Sequence, residues 1–360
     1  MKQFAVNFIL VVSSILLLSQ TVSAQGVLDQ PTTSLAWESW RNLSDAEYEA
    51  KIDNLKVRGF RPIDVEVEDD SQRRYATIWR ENSDNRKWIV KTKLTDSQFR
   101  DAWDTYKNQG YRPADQETHV FNGIRYYGAI WIENKEGLRW YSYRGLTTDE
   151  FHEKFDELKG SYIPVDVDTY KVSNQVYYAV IWVENKENIK LAIKRNMSGS
   201  AFNEEVEQRT NAGYRIYDIE VYDTGNGLQY AAIFVKEATP RKWYWRYGAD
   251  SDSFHNYWTQ YKNQGYRIED VEIYSTKNGI RYAGIWVKNG NQNTQSGENS
   301  NSKPTPTNEG IPPLPDYIKL KDNVSHVIVD FTGSEGHPVI TIPKWVLPDL
   351  PVTPEGEKIF

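Results

Sequence analysis

The chain contains no cysteine, two methionines and five histidines among its 360 residues. Without cysteine it can form no disulfide, no thiolate metal site and no iron–sulfur cluster, and it has no cysteine nucleophile. Basic residues are also in deficit, because 43 Lys and Arg face 50 Asp and Glu, for a net charge of −7. Phosphate contacts need clustered basic side chains, so we expect no nucleic-acid partner.

Long apolar runs are equally scarce, and the one clear case lies at the N-terminus. Lys2 precedes an apolar run from Phe8 to Leu18, and Val22-Ser23-Ala24 follows with the small-x-small pattern of a cleavage site. Residues 1–24 are therefore predicted to be a signal peptide that is cleaved after Ala24. No later run is long enough to span a bilayer. We expect a secreted or periplasmic protein without membrane insertion.

Aromatic residues are abundant, with 13 Trp, 24 Tyr and 12 Phe, and they follow an internal repeat. The segment Arg74-Tyr-Ala-Thr-Ile-Trp79 recurs four more times, and the final aromatic residues are 52, 51, 52 and 52 residues apart. These residues are Trp79, Trp131, Trp182, Phe234 and Trp286. A Gly-aromatic-Arg motif recurs with the same period, except in repeat three, where Ile163 replaces the arginine. A fixed period of this length is typical of repeat architectures.

Each repeat is predicted to contain a strand, a helix and a β-hairpin. Five residues open the helices as N-caps: Ser44, Thr95, Thr147, Ser198 and Asp250. Glu47, Gln98 and Glu150 lie three residues after their caps, which is the capping-box spacing. Gly-Tyr-Arg ends the helix, and Asn-Gly pairs such as Asn122-Gly123 mark the hairpin turns. The last strand is apolar on both faces, so we place it centrally in the sheet. We expect the helix to cover the face that carries the isoleucine and a small residue, because the small residue lets the helix approach.

The predicted fold class is therefore α+β, with five tandem βαββ repeats of about 51 residues that form a ring or a superhelical array. The repeat domain spans 35–288, divided into 35–85, 86–137, 138–188, 189–240 and 241–288. Residues 289–310 are polar and of low complexity, which predicts a flexible linker. Residues 311–360 contain short apolar alternations between prolines and are predicted to form a small β-rich segment, or one that orders only on a partner.

A pair of carboxylates recurs at i and i+2 in every repeat. The pairs are Asp64/Glu66, Asp115/Glu117, Asp166/Asp168, Asp218/Glu220 and Asp270/Glu272. Alternation puts both members on one face of a strand. The pattern favours a solvated face that pairs across the hairpin with Arg74, Arg125 and Arg281. Binding of a hard cation and acid–base catalysis are the alternatives.

Other side chains carry weaker signals. The five histidines share no ligand spacing, so neither a metal site nor a cofactor is predicted. Tryptophans in register on the first strand, Trp37, Trp88, Trp140 and Trp243, are expected to lie between repeats or to bind a ligand. The Tyr-Arg pairs after the helix should lie on an exposed loop, which makes them the candidate ligand-binding residues. They are Tyr111, Arg112, Tyr214, Arg215, Tyr266 and Arg267. The alternative is a structural role, in which the tyrosine packs and the arginine pairs with the acidic strand.

The order of capped helix, Gly-Tyr-Arg-Pro, acidic strand and Arg-Tyr-Ala-x-Ile-Trp resembles the bacterial tandem repeat domain. The same repeat is similar to the N-terminal domain of polyglycine hydrolases, where it accompanies a β-lactamase-like serine hydrolase domain. The resemblance covers residues 35–288 and implies a secreted accessory or recognition module. The motifs of the hydrolase domain are not reproduced. Ser300-Asn-Ser-Lys303 has the Ser-x-x-Lys spacing but lies in the polar linker, and Ser83-Asp-Asn85 matches the second motif but precedes the first. No Lys-Thr-Gly occurs.

We therefore expect a secreted, non-catalytic repeat module that presents a repeated surface to a glycan or a protein. One alternative is a structural or adaptor protein whose C-terminal tail docks a partner. The other is a hydrolase with an unrecognised site. An exposed row of aromatic side chains would favour binding, and carboxylates clustered with His or Ser in a cleft would favour catalysis.

Overall fold

The structure, a computed structural model, describes residues 26–28, 30–31, 33–69, 72–173, 175–290, 326–329 and 340–343. The predicted signal peptide and most of the predicted linker and tail lie outside these ranges. Within them, the five repeats form five units with the same order of elements.

Unit one comprises β1 (Trp37–Leu43), α1 (Asp45–Val57), β2 (Phe60–Asp69) and β3 (Arg73–Glu81). Unit two comprises β4 (Trp88–Leu94), α2 (Asp96–Asn108), β5 (Tyr111–Phe121) and β6 (Ile124–Glu133). Unit three comprises β7 (Trp140–Leu146), α3 (Thr148–Leu158), β8 (Tyr162–Val172) and β9 (Gln175–Glu184). Unit four comprises β10 (Lys190–Met197), α4 (Gly199–Asn211), β11 (Arg215–Asp223) and β12 (Leu228–Lys236). Unit five comprises β13 (Trp243–Ala249), α5 (Ser251–Asn263), β14 (Tyr266–Thr276) and β15 (Gly279–Lys288).

The local signals in the sequence place the helices correctly. All five predicted N-caps accept a backbone N–H from the residue three positions on. The reciprocal capping boxes predicted with Glu47, Gln98 and Glu150 are all formed. The glycine after each helix adopts positive φ, for example +83° at Gly110, and turns the chain directly into the next strand.

Each unit has a three-stranded antiparallel sheet with the third strand in the centre, as the double-sided apolar pattern predicts. The helix covers the aromatic face of that strand: the rings of Tyr48 and Tyr75 stack with centroids 4.3 Å apart. We expected the helix on the opposite face, which carries the isoleucine and a small residue. That face instead packs on the neighbouring unit.

Contacts between units close a ring. Ile130 and Ile132 of unit two pack on Tyr48 of unit one, and the same arrangement recurs around the molecule. Ile78 of unit one packs with Phe254 and Tyr261 of unit five. The Trp37 ring lies 5.5 Å from that of Trp258. Of the two predicted arrangements, the chain therefore adopts the ring.

In four of the five units, an asparagine after the third strand makes a pair of backbone hydrogen bonds, called here the asparagine staple. The Asn134 amide donates to the Leu138 carbonyl and its oxygen accepts the Leu138 N–H. Asn82 and Asn185 bond the residues four positions on in the same way, and Glu237 accepts the Arg241 N–H. The Asn289 amide makes this pair of bonds with Leu35, at the other end of the ring.

In the tail, β16 (His326–Val329) and β17 (Ile340–Pro343) pair in antiparallel orientation. Both strands fall within the apolar alternations that predicted a β-rich segment.

Candidate functional site

The second strands of the five units line a common axis. They contact one another in cyclic order, and β14 returns to β2. Each carries a one-residue bulge, which lies between Pro62 and Asp64 in unit one. A bulge shifts side-chain alternation by one position, so Arg61, Asp64 and Glu66 come to the same side of β2.

The ten paired carboxylates, called here the axial carboxylates, lie along this axis. They form two rings, one of the aspartates that follow the bulge and one of the acidic residues two positions later. Eight of the ten are buried, while Glu66 and Asp270 are partly exposed. The prediction of a solvated face was wrong, because the strand edge that carries them faces the ring axis. The arginines proposed as partners bond elsewhere: Arg74 to Asn42, Arg125 to Tyr170, and Arg281 to the Ile280 carbonyl.

The axial carboxylates accept hydrogen bonds from backbone N–H groups of neighbouring units. The second strand is an edge strand, so alternate N–H groups have no partner within the sheet. Carboxylates of the next unit accept them: Val67 N donates to Glu117 at 3.2 Å and Thr169 N to Glu220 at 3.1 Å. Across the closure, Val271 N donates to Asp64 at 2.7 Å. The recurrence of the pairs in all units therefore has a structural cause.

In each of these contacts, one carboxylate oxygen accepts the backbone N–H. Other oxygens of the axial carboxylates have no hydrogen-bond partner. Asp115, Asp166, Asp168 and Asp218 are 5 to 8 % exposed, and each has an Oδ2 without a hydrogen-bond partner. Two groups of oxygens converge. One set, from Glu66, Glu220 and Glu272, lies within 4.8 Å of one another, as does a second set from Asp64, Glu66 and Asp115.

Burial strongly disfavours ionisation of these groups. Burial, followed by repulsion from Asp218, raises the pKa of Asp64 to about 8, although the Val271 N–H opposes the shift. Burial also raises the pKa of Asp168 to about 8 and that of Asp218 to about 7. The pKa values of the other seven are raised too, by burial and by neighbouring carboxylates. At neutral pH the cluster therefore needs protons or a cation.

One end of the axis is instead rich in buried arginine. Arg267 Nε bonds Glu269, whose carboxylate also lies 3.7 Å from Arg80. Burial opposes ionisation of Glu269, but the arginines outweigh it and hold its pKa below the usual value. Arg215 pairs with Glu237 at 2.7 Å. At this end, Glu269 and Glu237 are therefore the carboxylates that pair with the buried arginines.

An N-terminal segment, residues 26–28, 30–31 and 33–35, crosses this end. The Pro31 carbonyl accepts from Arg267, and the Leu28 carbonyl accepts from Tyr217. Val27 is buried beside Ile163. Ile163 stands where the other repeats carry arginine, so the irregularity of repeat three makes an apolar socket for this segment.

The predicted ligand-binding residues lie in a different place from the one expected. The Tyr-Arg pairs were expected on an exposed loop. Each pair instead lies at or just before the start of the second strand of its unit, called here the inner strand because it lines the axis. Arg112, Arg215 and Arg267 are buried, since the bulge turns them toward the axis. The expected surface position was wrong because the preceding glycine leads straight into the sheet. Ligand binding by Tyr111, Tyr214 and Tyr266 or their arginines stays a prediction.

First-strand tryptophans lie between units, which agrees with the packing alternative. The ring centroid of Trp140 is 5.2 Å from that of Trp103, and Trp88 is 5.6 Å from Trp79. Among the described residues, only Val57, Ile124 and Tyr141 are exposed large hydrophobic side chains. The described surface therefore has no continuous aromatic row.

Tyr141 is nevertheless the centre of a small aromatic shelf on unit three. It is 40 % exposed, and its ring centroid lies 5.0 Å from Tyr162 and 6.1 Å from Tyr143. Lys154 and Arg139 lie over the flanking rings, at 5.2 and 5.8 Å from the centroids. We call these five residues the tyrosine shelf.

The only described histidine beside the axial carboxylates is His119, two residues after Glu117 on β5. It is buried against Tyr126, and burial lowers its pKa to about 3, so it is neutral at physiological pH. Ser300-Asn-Ser-Lys303 lies outside the described residues.

Sequence reasoning missed the bulges, the N-terminal segment and the asparagine staple. Only the staple leaves a direct sequence signal, since Asn82, Asn134, Asn185 and Asn289 follow the repeat period.

Fold and site together define a ring-forming repeat protein with a buried acidic axis. Five segments of the chain match the family model of the polyglycine hydrolase-like structural repeat: residues 34–82, 85–134, 137–185, 189–237 and 240–289. Since the matches cover more than half of the sequence, the chain belongs to this repeat family, as the motifs suggested. A comparison with curated proteins found no match. Over the described ranges, no helix has the length and apolar character needed to cross a bilayer.

Proposed function

We propose that this chain is an exported, non-catalytic module that binds a glycan or a protein through the tyrosine shelf of unit three. The observation that carries the proposal is the exposed ring of Tyr141, held between Tyr143 and Tyr162. Aromatic faces with polar tips suit saccharide stacking and protein contacts, and the adjoining Lys154 and Arg139 add donors for hydroxyl or carboxylate groups.

The closed ring supports a binding role because it holds the shelf on rigid elements. Tyr141 and Tyr143 project from β7, and Lys154 from α3, whose Phe151 packs on Tyr178 and Trp182 in the core. A preorganised site loses little conformational entropy on binding. The axial carboxylates offer no comparable opening to a polymer, because most are buried. This supports a non-catalytic role.

The test is a glycan and peptide array probed with the full chain and the Tyr141→Ala variant. Unit four carries Ala192 at the equivalent position, so the substitution is compatible with the fold. Ile124→Ala, on the exposed hairpin of unit two, is the matched control. We expect Tyr141→Ala to weaken binding at least about tenfold, as loss of a central aromatic contact does.

Equal binding by wild type and Tyr141→Ala would overturn the assignment to the shelf. Binding that disappears when residues 311–360 are removed, and survives Tyr141→Ala, would support the adaptor alternative. Export is tested separately by N-terminal sequencing of the protein recovered outside the cytoplasm, which should begin at Gln25.

A further inference from the structure

We propose that the axial carboxylates bind a hard divalent cation, with calcium as the best fit, at the centre of the ring. The inference is independent of the tyrosine shelf, which lies at β7, α3 and the first residue of β8 in unit three and contains none of the axial carboxylates.

The axial carboxylates lie together without basic partners among the described residues. Ten carboxylates meet along one axis, and none forms an ion pair with a Lys or Arg of the described ranges. The nearby Arg215, Arg241 and Arg267 form ion pairs with Glu237 and Glu269 instead. Carboxylate oxygens without basic partners are the ligands that calcium, magnesium and manganese prefer.

Two groups of axial carboxylate oxygens also converge closely. Oxygens of Glu66, Glu220 and Glu272 lie within 4.8 Å of one another. Two ligands on opposite sides of a calcium ion are about 4.6 to 5.2 Å apart, because each Ca–O distance is about 2.3 to 2.6 Å. One ion can therefore contact all three. The second set, from Asp64, Glu66 and Asp115, has the same spread and shares Glu66.

Several axial carboxylates also have an oxygen that no donor satisfies. Asp115, Asp166, Asp168 and Asp218 are buried, and each leaves its Oδ2 without a hydrogen-bond partner. A buried acceptor without a donor is costly unless something else satisfies it. Asp64, Asp115, Asp166, Asp218 and Asp270 also line one cavity of about 50 Å³. The oxygens thus face a space that a cation with bound water can occupy.

A cation would also strengthen the ring. Glu66, Glu220 and Glu272 come from units one, four and five, so one ion would join both sides of the closure. Protons are the competing occupants, since burial raises the pKa of these groups. Metal ligands must be deprotonated, so apparent affinity should increase with pH and binding should release protons.

The experiment titrates CaCl₂ into the metal-free full chain by calorimetry and follows its unfolding temperature, at a pH near 8. Glu220→Gln and Glu272→Gln each remove one ligand charge and keep an oxygen that can accept a backbone N–H. Glu184→Gln, at an exposed pair with Arg139, is the matched control. MgCl₂ and MnCl₂ serve as competitors.

We expect calcium to bind and to raise the unfolding temperature of the wild type and of Glu184→Gln. Both axial variants should bind at least about tenfold more weakly. In EDTA they should unfold at a higher temperature than the wild type, because glutamine can be buried without taking up a proton. Glutamates that serve only as acceptors of backbone N–H groups predict unchanged calcium affinity in both variants.

Two results would overturn the proposal. One is the absence of both binding heat and thermal shift with about 5 mM of any of the three cations, which would assign the charge balance to protons. The other is unchanged calcium affinity in Glu220→Gln, in Glu272→Gln and in Asp115→Asn, which removes a ligand of the second set. If one variant fails to fold, the others decide.

Discussion

Four buried tryptophans occupy equivalent positions on the central strands, and their indole N–H groups have no partner. They are Trp79, Trp131, Trp182 and Trp286, while unit four has Phe234. The position therefore requires a large apolar ring, and the indole nitrogen contributes no hydrogen bond there.

We predict that Trp182→Phe costs less than about 1.5 kcal/mol of the free energy of unfolding, whereas Trp182→Ala costs about 3 to 5 kcal/mol. Phenylalanine retains most of the packing against Phe151 and Phe155 and removes an unpaired donor. Urea unfolding followed by circular dichroism measures both values. Similar losses for the two variants would contradict the view that the N–H is dispensable.

Ile163 shows how one departure from the repeat serves the whole ring. Arginine at this position in the other units lies at the arginine-rich end, whereas Ile163 packs with Val27, Leu138 and Val165. The exception is explained by the N-terminal segment that covers it.

Restoring the repeat pattern with Ile163→Arg should destabilise the protein by about 2 to 4 kcal/mol, because the longer, charged side chain would enter an apolar socket. Ile163→Val is the control and should cost about 0.5 to 1.5 kcal/mol. Limited proteolysis should cut near Val27 faster in the arginine variant. An unchanged cleavage rate would mean that the socket does not hold the segment.

At the scale of elements, the hairpins and helices follow local rules, while the inner strands do not. Asn122 and Gly123 both adopt positive φ, as a two-residue hairpin turn requires. The inner strand adds a bulge and an unpaired edge, and its N–H groups need acceptors from another unit. The carboxylates were visible in the sequence, but their partners were backbone groups about 50 residues away, as in Val67 and Glu117.

The staple at Asn289 provides a test of ring closure. Its side chain bonds both the N–H and the carbonyl of Leu35, and its oxygen also accepts from Arg267 at 2.9 Å. We predict that Asn289→Ala lowers the free energy of unfolding by about 2 to 3 kcal/mol.

Asn134→Ala, which breaks the same staple within a single loop, should cost about 1 to 2 kcal/mol. Amide hydrogen exchange at β1 should increase in Asn289→Ala and stay unchanged in Asn134→Ala. Equal exchange in both variants would show that Asn289 does not secure the closure.

At the scale of the whole molecule, the ring concentrates acidic charge at its centre. The formal net charge of −7 understates this arrangement, because ten carboxylates share one axis. Only closure brings Asp64 beside Asp218 and Glu66 beside Glu272. The pH dependence of stability is therefore a property of the ring.

We predict that, in EDTA, the free energy of unfolding falls as pH rises from about 5 to 8. The axial carboxyls hold protons in the folded state and lose them in the unfolded state, where their pKa values are near 4. Their stabilising contribution is thus complete below that value and is lost as pH rises through the folded pKa values, about 7 for Asp218 and about 8 for Asp64.

Each carboxyl that titrates in this way contributes a slope of about 1.4 kcal/mol per pH unit. Urea unfolding across the range measures the total, and Asp218→Asn should reduce the slope. Stability that increases over this window would mean that the axial carboxyls are ionised and paired in the folded protein.

Sequence periodicity by itself determined the number of units, the order of elements, the helix caps, the hairpin turns and the central position of the third strand. These features depend on residues within one unit, where spacing and propensity act locally. Tertiary structure alone decided that the array closes, that the helix covers the aromatic face, that the Tyr-Arg arginines are buried and that the acidic face lies inside. The reason is physical: a one-residue bulge redirects the inner strand, and its edge N–H groups find acceptors only on a neighbouring unit.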